Sequence, residues 1–220
     1  MCGIAFAVGP NINPLIIRAL AIANQKRGKD SFGMFDSTGK KIKSASPAID
    51  CLTRNNFSEF IARSHWFISL HTRLATRGAV NKRNAHPFRF GKYIGVHNGH
   101  VDAPAIYDVD SMYLFDQLHK SSGDYAKAFA GIAGYWSLVW FDGSHLYVQA
   151  HDNKIHLARI GETWYGSSDR DHLSAVLGKA DECITLENGA TIRFHSDGRL
   201  EKLEPFKSEA GRGVKRATSI

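Results

Sequence analysis

An unbroken apolar run, Gly3 to Val8, starts directly behind Met1-Cys2. Such a run reads as a fully buried strand, so the second residue of this chain is drawn to the edge of a core. A chain with this start folds around its own amino terminus. Once the initiator methionine is removed, Cys2 carries a thiol and a free α-amine a few ångströms apart. The amine titrates at about 7.7–8.0, so part of it is an unprotonated base near neutral pH. Nucleophile and base then reside on one residue, as when a threonine is paired with its own N-terminal amine.

Downstream, short strands outnumber helices. A helix is expected over 14–25, where Leu15, Ile16, Leu20 and Ile22 recur at near-helical spacing behind Asn13 as N-cap and Pro14. Gly28 reads as that helix's C-terminal cap. Strands are expected at 32–35 and 40–43, joined at Asp36-Ser37-Thr38-Gly39. A strand at 66–70 leads to His71-Thr72-Arg73, and a long polar loop follows over 74–91. A strand at 93–97 ends at Asn98-Gly99. Closely spaced β segments follow at 135–141, 146–150, 155–159 and 164–167, with a pair around Ile184 and 191–194. Helices are expected at 57–63, 111–119, 125–130 and 170–177. The regular βαβ alternation of a doubly wound sheet is missing, and an α+β fold of two antiparallel sheets with helices outside fits better.

The 220 residues, 43% of them hydrophobic, suit one domain with a sizeable core. No linker or low-complexity run divides them, so the expectation is a single domain over 1–220 whose last stretch, 196–220, is a basic and partly flexible extension. The first apolar run lacks a basic flank, and no stretch reaches the length of a membrane span. A soluble, cytoplasmic protein is expected, with no membrane partner. The net charge of +7 is spread along the chain; it reads as solvated surface, and charge alone leaves nucleic acid open as a minor alternative. Cys2, Cys51 and Cys183 are an odd, widely spaced set without C-x-x-C spacing, which argues against disulfides and zinc. Cys51 and Cys183 read as ordinary buried or half-buried thiols. No metal-binding or nucleotide-binding motif is present, His97-x-x-His100 reads as incidental, and no cofactor is expected.

Six stretches occur together and in order: Cys2-Gly3-Ile4; Arg27-Gly28-Lys29-Asp30-Ser31-Phe32-Gly33; His71-Thr72-Arg73-Leu74-Ala75-Thr76-Arg77-Gly78; Asn84-Ala85-His86-Pro87-Phe88; His97-Asn98-Gly99; and Asp110-Ser111. With them, over about 2–195, the chain resembles the glutaminase domain of class II glutamine amidotransferases, which are N-terminal nucleophile hydrolases. The details are most similar to the glutaminase half of glucosamine-6-phosphate synthases. The resemblance implies a four-layer αββα sandwich and hydrolysis of glutamine to glutamate and ammonia through a thioester on Cys2. It implies that the Asn98 side chain and the Gly99 N–H form an oxyanion hole. Taken alone, Asn-Gly reads as a hairpin turn. Arg73 is implied to clamp the substrate α-carboxylate, with help from Thr76, and Asp110 the α-ammonium. Arg27 is implied to organise the site around the cysteine and Asn98. His86 is a structural or substrate-side group.

Two positions depart from the family. Leu74 stands where the family carries Trp, and Arg77 where it carries His, so an aromatic lid is lost and closure over substrate is altered. The expected partners are glutamine and a separate synthetase or transferase chain that accepts ammonia, since free ammonia protonates in water. Two other readings stay open: an amidohydrolase of the same type acting on another γ-glutamyl or small amide, and a non-catalytic glutamine-binding module.

Overall fold

The computed structural model describes residues 2–63 and 65–207. Met1 and most of the basic extension, 208–220, lie outside the described residues. In chain order the elements are β1 (Gly3–Val8), α1 (Pro14–Gln25), β2 (Ser31–Asp36), β3 (Lys41–Ser44), α2 (Ala48–Leu52), α3 (Asn55–Ala62), β4 (Phe67–Arg73), β5 (Phe88–Phe90) and β6 (Tyr93–Val101). They continue with α4 (Asp110–Lys120), α5 (Tyr125–Phe129), β7 (Gly134–Phe141), β8 (Leu146–His151), β9 (Ile155–Ile160), β10 (Thr163–Ser167), α6 (Arg170–Leu177), β11 (Glu182–Leu186), β12 (Thr191–Phe194) and β13 (Leu200–Lys202).

The strands form two antiparallel sheets. One has the order β11-β9-β10-β1-β4-β2-β3, the other β13-β12-β8-β7-β6-β5. Alternation along β1 explains how they stack. Ile4, Phe6 and Val8 point into the space between the sheets and meet Ile94, Val96, Val139 and Val148 of the second sheet. Each such fully buried side chain contributes about 1.5–3 kcal/mol. Ala5 and Ala7 point the other way, and their small size lets α1 lie close against the strand. That helix buries Ile17, Leu20, Ala21 and Asn24, one stripe at helical spacing. Asn13 caps it by accepting the Leu15 N–H at 2.9 Å. Helices α1, α2, α3 and α6 cover the first sheet, and α4 and α5 cover the outer face of the second. The result is the expected four-layer α+β arrangement.

Several local expectations are corrected. β4 does not stop at Leu70 but runs through His71, Thr72 and Arg73, because these polar residues still pair with β1 and β2. The loop expected over 74–91 is shortened by β5, which pairs with β6. β6 likewise continues past Asn98-Gly99, which pair with Ser137 and Trp136 of β7, so the dipeptide is no hairpin turn. Gly28 is not a left-handed cap: α1 ends with Lys26 in right-handed geometry. Gly28 is needed for space, since a Cβ there would lie 2.3 Å from the Arg73 carbonyl carbon and 2.4 Å from the Leu74 nitrogen. Cys51 is buried as expected, but Cys183 is exposed. It lies on β11, the edge strand of the first sheet.

Candidate active site

β1 begins at the same end of the sandwich at which β4 and β6 finish, and this brings the candidate residues together. Cys2, Arg73, Thr76, His86, Gly99 and Asp110 line one cavity of about 30 Å3, with Leu74, Arg77, His97, Val109 and Ser111. That space holds about one water molecule. The cavity is roofed by the segment after β4 and by the turn before α4.

Cys2 is half-buried, and its sulfur is gripped by Leu74. The Leu74 N–H donates to Sγ at 3.4 Å, and the thiol faces the Leu74 carbonyl oxygen at 3.5 Å. Burial pushes the thiol above its ordinary value, while the Leu74 backbone and then the Arg73 charge pull it down. Arg27 holds the cysteine from behind: Nε donates to the Cys2 carbonyl at 2.9 Å, and Nη1 is paired with Asp169 at 2.8 Å. Ser168 fixes Ile4, two residues on, its Oγ accepting the Ile4 N–H at 3.0 Å and its own N–H donating to the Ile4 carbonyl at 2.9 Å.

Asn98 and Arg27 do not themselves line the cavity. Asn98 is buried, and its Nδ2 has no hydrogen-bond partner among the described residues. A buried amide donor left open in this way is uncommon and calls for an acceptor. Gly99 sits at a φ of +153°, and a Cβ there would come within 2.1 Å of the Tyr135 carbonyl oxygen. Only glycine fits.

Arg73 is buried and lines the cavity, with its terminal nitrogens turned to its own loop. Nη2 donates to the Arg77 carbonyl at 2.6 Å and to Gly78 at 3.4 Å, and Nη1 donates to Ala79 at 3.2 Å. Three hydrogen bonds leave part of a five-donor guanidinium available. Asp110 opens α4, its Oδ1 accepting the Ser111 N–H at 2.9 Å and its Oδ2 the Val101 N–H at 3.2 Å. Arg77 straps the roof: it donates to the carbonyls of Ala103 and Pro104 at 3.1 Å each and of Tyr107 at 2.9 Å.

The floor contains a group that the sequence reading did not assemble. His71 and His86 lie against each other with ring centroids 3.9 Å apart and planes tilted by 37°. His71 Nε2 donates to the His97 carbonyl at 2.9 Å, and His97 Nδ1 meets Ser111 Oγ at 2.8 Å. His86 ends in the floor because its loop crosses β2 and β3, held there by Lys43 Nζ, which donates to the Ala85 carbonyl at 2.7 Å. Burial lowers the pKa of His71 to about 3. It drives His86 well below its ordinary value and lowers His97, so all three rings are neutral at pH 7. His97 belongs to the cavity wall. Strand parity was the available signal for His71, which lies two residues before Arg73 on the same face. Among the described residues no group of three or more His, Cys, Asp or Glu is arranged to hold a metal ion, and no helix is long and apolar enough to cross a membrane.

No family model matches the chain. It is 26% identical to a glutamine–fructose-6-phosphate aminotransferase (isomerizing) of Xylella fastidiosa, an alignment that takes in 90% of this chain and 36% of the relative. The chain thus spans about a third of the length of the curated relative it matches. Among solved structures it is similar to the glutamine phosphoribosylpyrophosphate amidotransferase of B. subtilis, with a TM-score of 0.73 and 16% identity, over 94% of this chain and 49% of that one. It is also similar to a glutamine aminotransferase class-II domain protein of Silicibacter pomeroyi, with a TM-score of 0.57 and 16% identity, over 94% of this chain and 100% of that one. In sheet order and in these likenesses the chain has the two-sheet fold of class II glutamine amidotransferase domains, and its sequence is similar to that of a protein carrying one.

Proposed function

We propose that this domain hydrolyses the side-chain amide of glutamine to glutamate and ammonia. After loss of Met1, the Cys2 α-amine takes the thiol proton and Sγ attacks the amide carbon. The oxyanion that forms accepts hydrogen bonds from Asn98 Nδ2 and the Gly99 N–H; each such donor can be worth about 2.7–4 kcal/mol. The amine then hands its proton to departing ammonia, leaving a thioester on Cys2. Water attacks the thioester, and glutamate leaves as the thiol is restored. Arg73 and Thr76 hold the substrate α-carboxylate, Asp110 holds the α-ammonium, and His86 forms a neutral wall. Arg27 positions Cys2 through its carbonyl.

The observation that carries this reading is the open Nδ2 of buried Asn98 beside a cavity shared by Cys2 and Gly99. A cavity of about 30 Å3 admits no amino acid while closed, so glutamine binds after the 74–80 segment lifts. Ammonia is passed to a synthetase or transferase module, because in bulk water it would be protonated and lost as a nucleophile. Free cysteines suit a reducing, cytoplasmic compartment.

The test is glutamate release from glutamine by protein whose amino-terminal Cys2 has been verified by intact mass. Turnover that disappears in Cys2→Ala is expected. Verified Cys2 without glutamine hydrolysis, alone or with candidate acceptor chains, would overturn the proposal.

A further inference from the structure

Asn98 and Gly99 share one peptide group, and a side chain far along the sequence holds it. Asn153 Nδ2 donates to the Asn98 carbonyl oxygen at 2.9 Å. A trans peptide is planar, with its C=O and N–H pointing in opposite directions. Fixing the carbonyl therefore fixes the direction of the Gly99 N–H. We infer that Asn153 is a positioning residue of this site, which keeps the Gly99 N–H turned toward the cavity it shares with Cys2. The inference rests on the glutaminase reading and adds to it a residue outside the motifs.

The need for such a restraint follows from Gly99. Glycine crosses between positive and negative φ at little steric penalty, and Asn153 adds to the pairing of Asn98 and Gly99 with Ser137 and Trp136 of β7 in keeping their shared peptide from rotating. A rotated peptide would present an oxygen to the reacting carbonyl where a donor is required. Two further contacts hold Asn153 to the task. Its Oδ1 accepts the Lys154 N–H at 3.1 Å, which leaves the amide NH2 as the end that faces Asn98. Ser137, the cross-strand partner of Asn98, donates from Oγ to the Lys154 carbonyl at 3.3 Å. Asn98, Ser137, Lys154 and Asn153 thus form a closed circuit around the peptide.

The experiment compares wild type, Asn153→Ala and the isosteric Asn153→Asp, each with verified amino-terminal Cys2. Two readouts are used: steady-state glutamine hydrolysis, and inhibition by glutamate γ-semialdehyde set against binding of glutamate. The aldehyde adds the Cys2 thiol to give a hemithioacetal whose oxygen takes the oxyanion position; glutamate reports ground-state binding alone. In both variants kcat falls about tenfold or more, KM stays within about twofold, aldehyde affinity drops in step with kcat, and glutamate affinity holds. Asn153→Asp keeps the shape of the side chain, so it decides the matter if Asn153→Ala folds poorly. Unchanged kcat in the variants, or losses of glutamate and aldehyde affinity that match, overturns the role of Asn153 while the glutaminase reading stands. A wild type that neither turns over glutamine nor captures the aldehyde overturns both.

Discussion

The main-chain N–H of Leu74 donates to the Cys2 sulfur at 3.4 Å, so the roof of the cavity is tied directly to Cys2. The resemblance leads one to expect an aromatic residue at 74 and a histidine at 77. Leu74 is instead 42% exposed, and closure is carried by its backbone contact to Cys2 and by Arg77.

Arg77 is therefore expected to set how often the cavity opens. Its guanidinium spans from its own segment to the carbonyls of Ala103, Pro104 and Tyr107. Hydrogen bonds from a charged donor contribute about 1.5–3 kcal/mol each when buried, and less at a partly open surface like this one. Arg77→Ala should lower the opening free energy by about 1.4 kcal/mol, a factor of about ten. The measurement is the rate at which iodoacetamide alkylates Cys2 at fixed pH, with exposed Cys183 as an internal reference. An unchanged Cys2 rate in Arg77→Ala would show that the strap does not govern access.

The three floor histidines predict a steep loss of stability in acid. Burial lowers the pKa of each of them below that of an unfolded histidine, near 6.5, and that of His71 to about 3. Above pH 6.5 both states are neutral at these positions and no difference arises. As pH falls from 6.5 toward 3, the unfolded chain binds protons that the folded chain does not, so stability declines with falling pH. Inside that window His71 contributes a slope of about 1.4 kcal/mol per pH unit, and His86 and His97 add to it in the same direction. Urea unfolding at pH 7.5, 6.5 and 5.5 measures it. His86→Phe should flatten the slope by about one proton; an unaltered slope would place His86 outside the titrating set.

Gly28 supports the site through space alone. A Cβ at that position would lie 2.3 Å from the Arg73 carbonyl carbon, a rigid backbone atom at the end of β4. Gly28→Ala must push α1's C-terminal turn away from β4, and Arg27 with it, which loosens the bond from Nε to the Cys2 carbonyl. Overpacking of this kind destabilises by about 1–3 kcal/mol. For a protein of this size that is a fall in melting temperature of about 2–12 °C. Thermal unfolding and glutamine turnover should both decline, whereas a helix-cap role would give the first without the second.

The fold was legible wherever burial imposes a pattern. The apolar runs of β1, β7 and β8 and the stripe along α1 identify themselves, because a two-sheet core needs those residues inside. The continuation of β4 through His71-Thr72-Arg73 was not legible, since polar residues enter a strand there to serve a cavity. Asn98-Gly99 reads as a turn only when taken without its flanking strand and motifs, and α2, β5 and β13 are too short for periodicity to mark. The motif residues Cys2, Arg73, Gly99 and Asp110 could be gathered into one site by resemblance. The contact between His97 and Ser111, both in the motifs, and the place of Asn153, outside them, could not be read, because such contacts depend on which face of a strand or turn the residues occupy. Cys183 shows the converse: its place on an edge strand leaves a thiol exposed that its sequence neighbourhood made look half-buried.

The state of the amino terminus decides whether Cys2 reacts. Burial raises its thiol pKa, and the Leu74 N–H and the Arg73 charge offset that only in part. Removal of Met1 adds a free amine on the same residue, which is a positive neighbour when protonated and a proton acceptor when not. Both forms favour the thiolate. The chain with Cys2 as first residue should therefore be alkylated at lower pH than a chain carrying an uncleaved N-terminal extension. Cys183, exposed in both, should titrate identically, and Cys51, buried in α2, should stay slow. Glutamine turnover should follow the same division, present with free Cys2 and absent with the extension. Equal turnover in the two forms would mean that the α-amine is not the base, and the proton would then have to leave the thiol by another route.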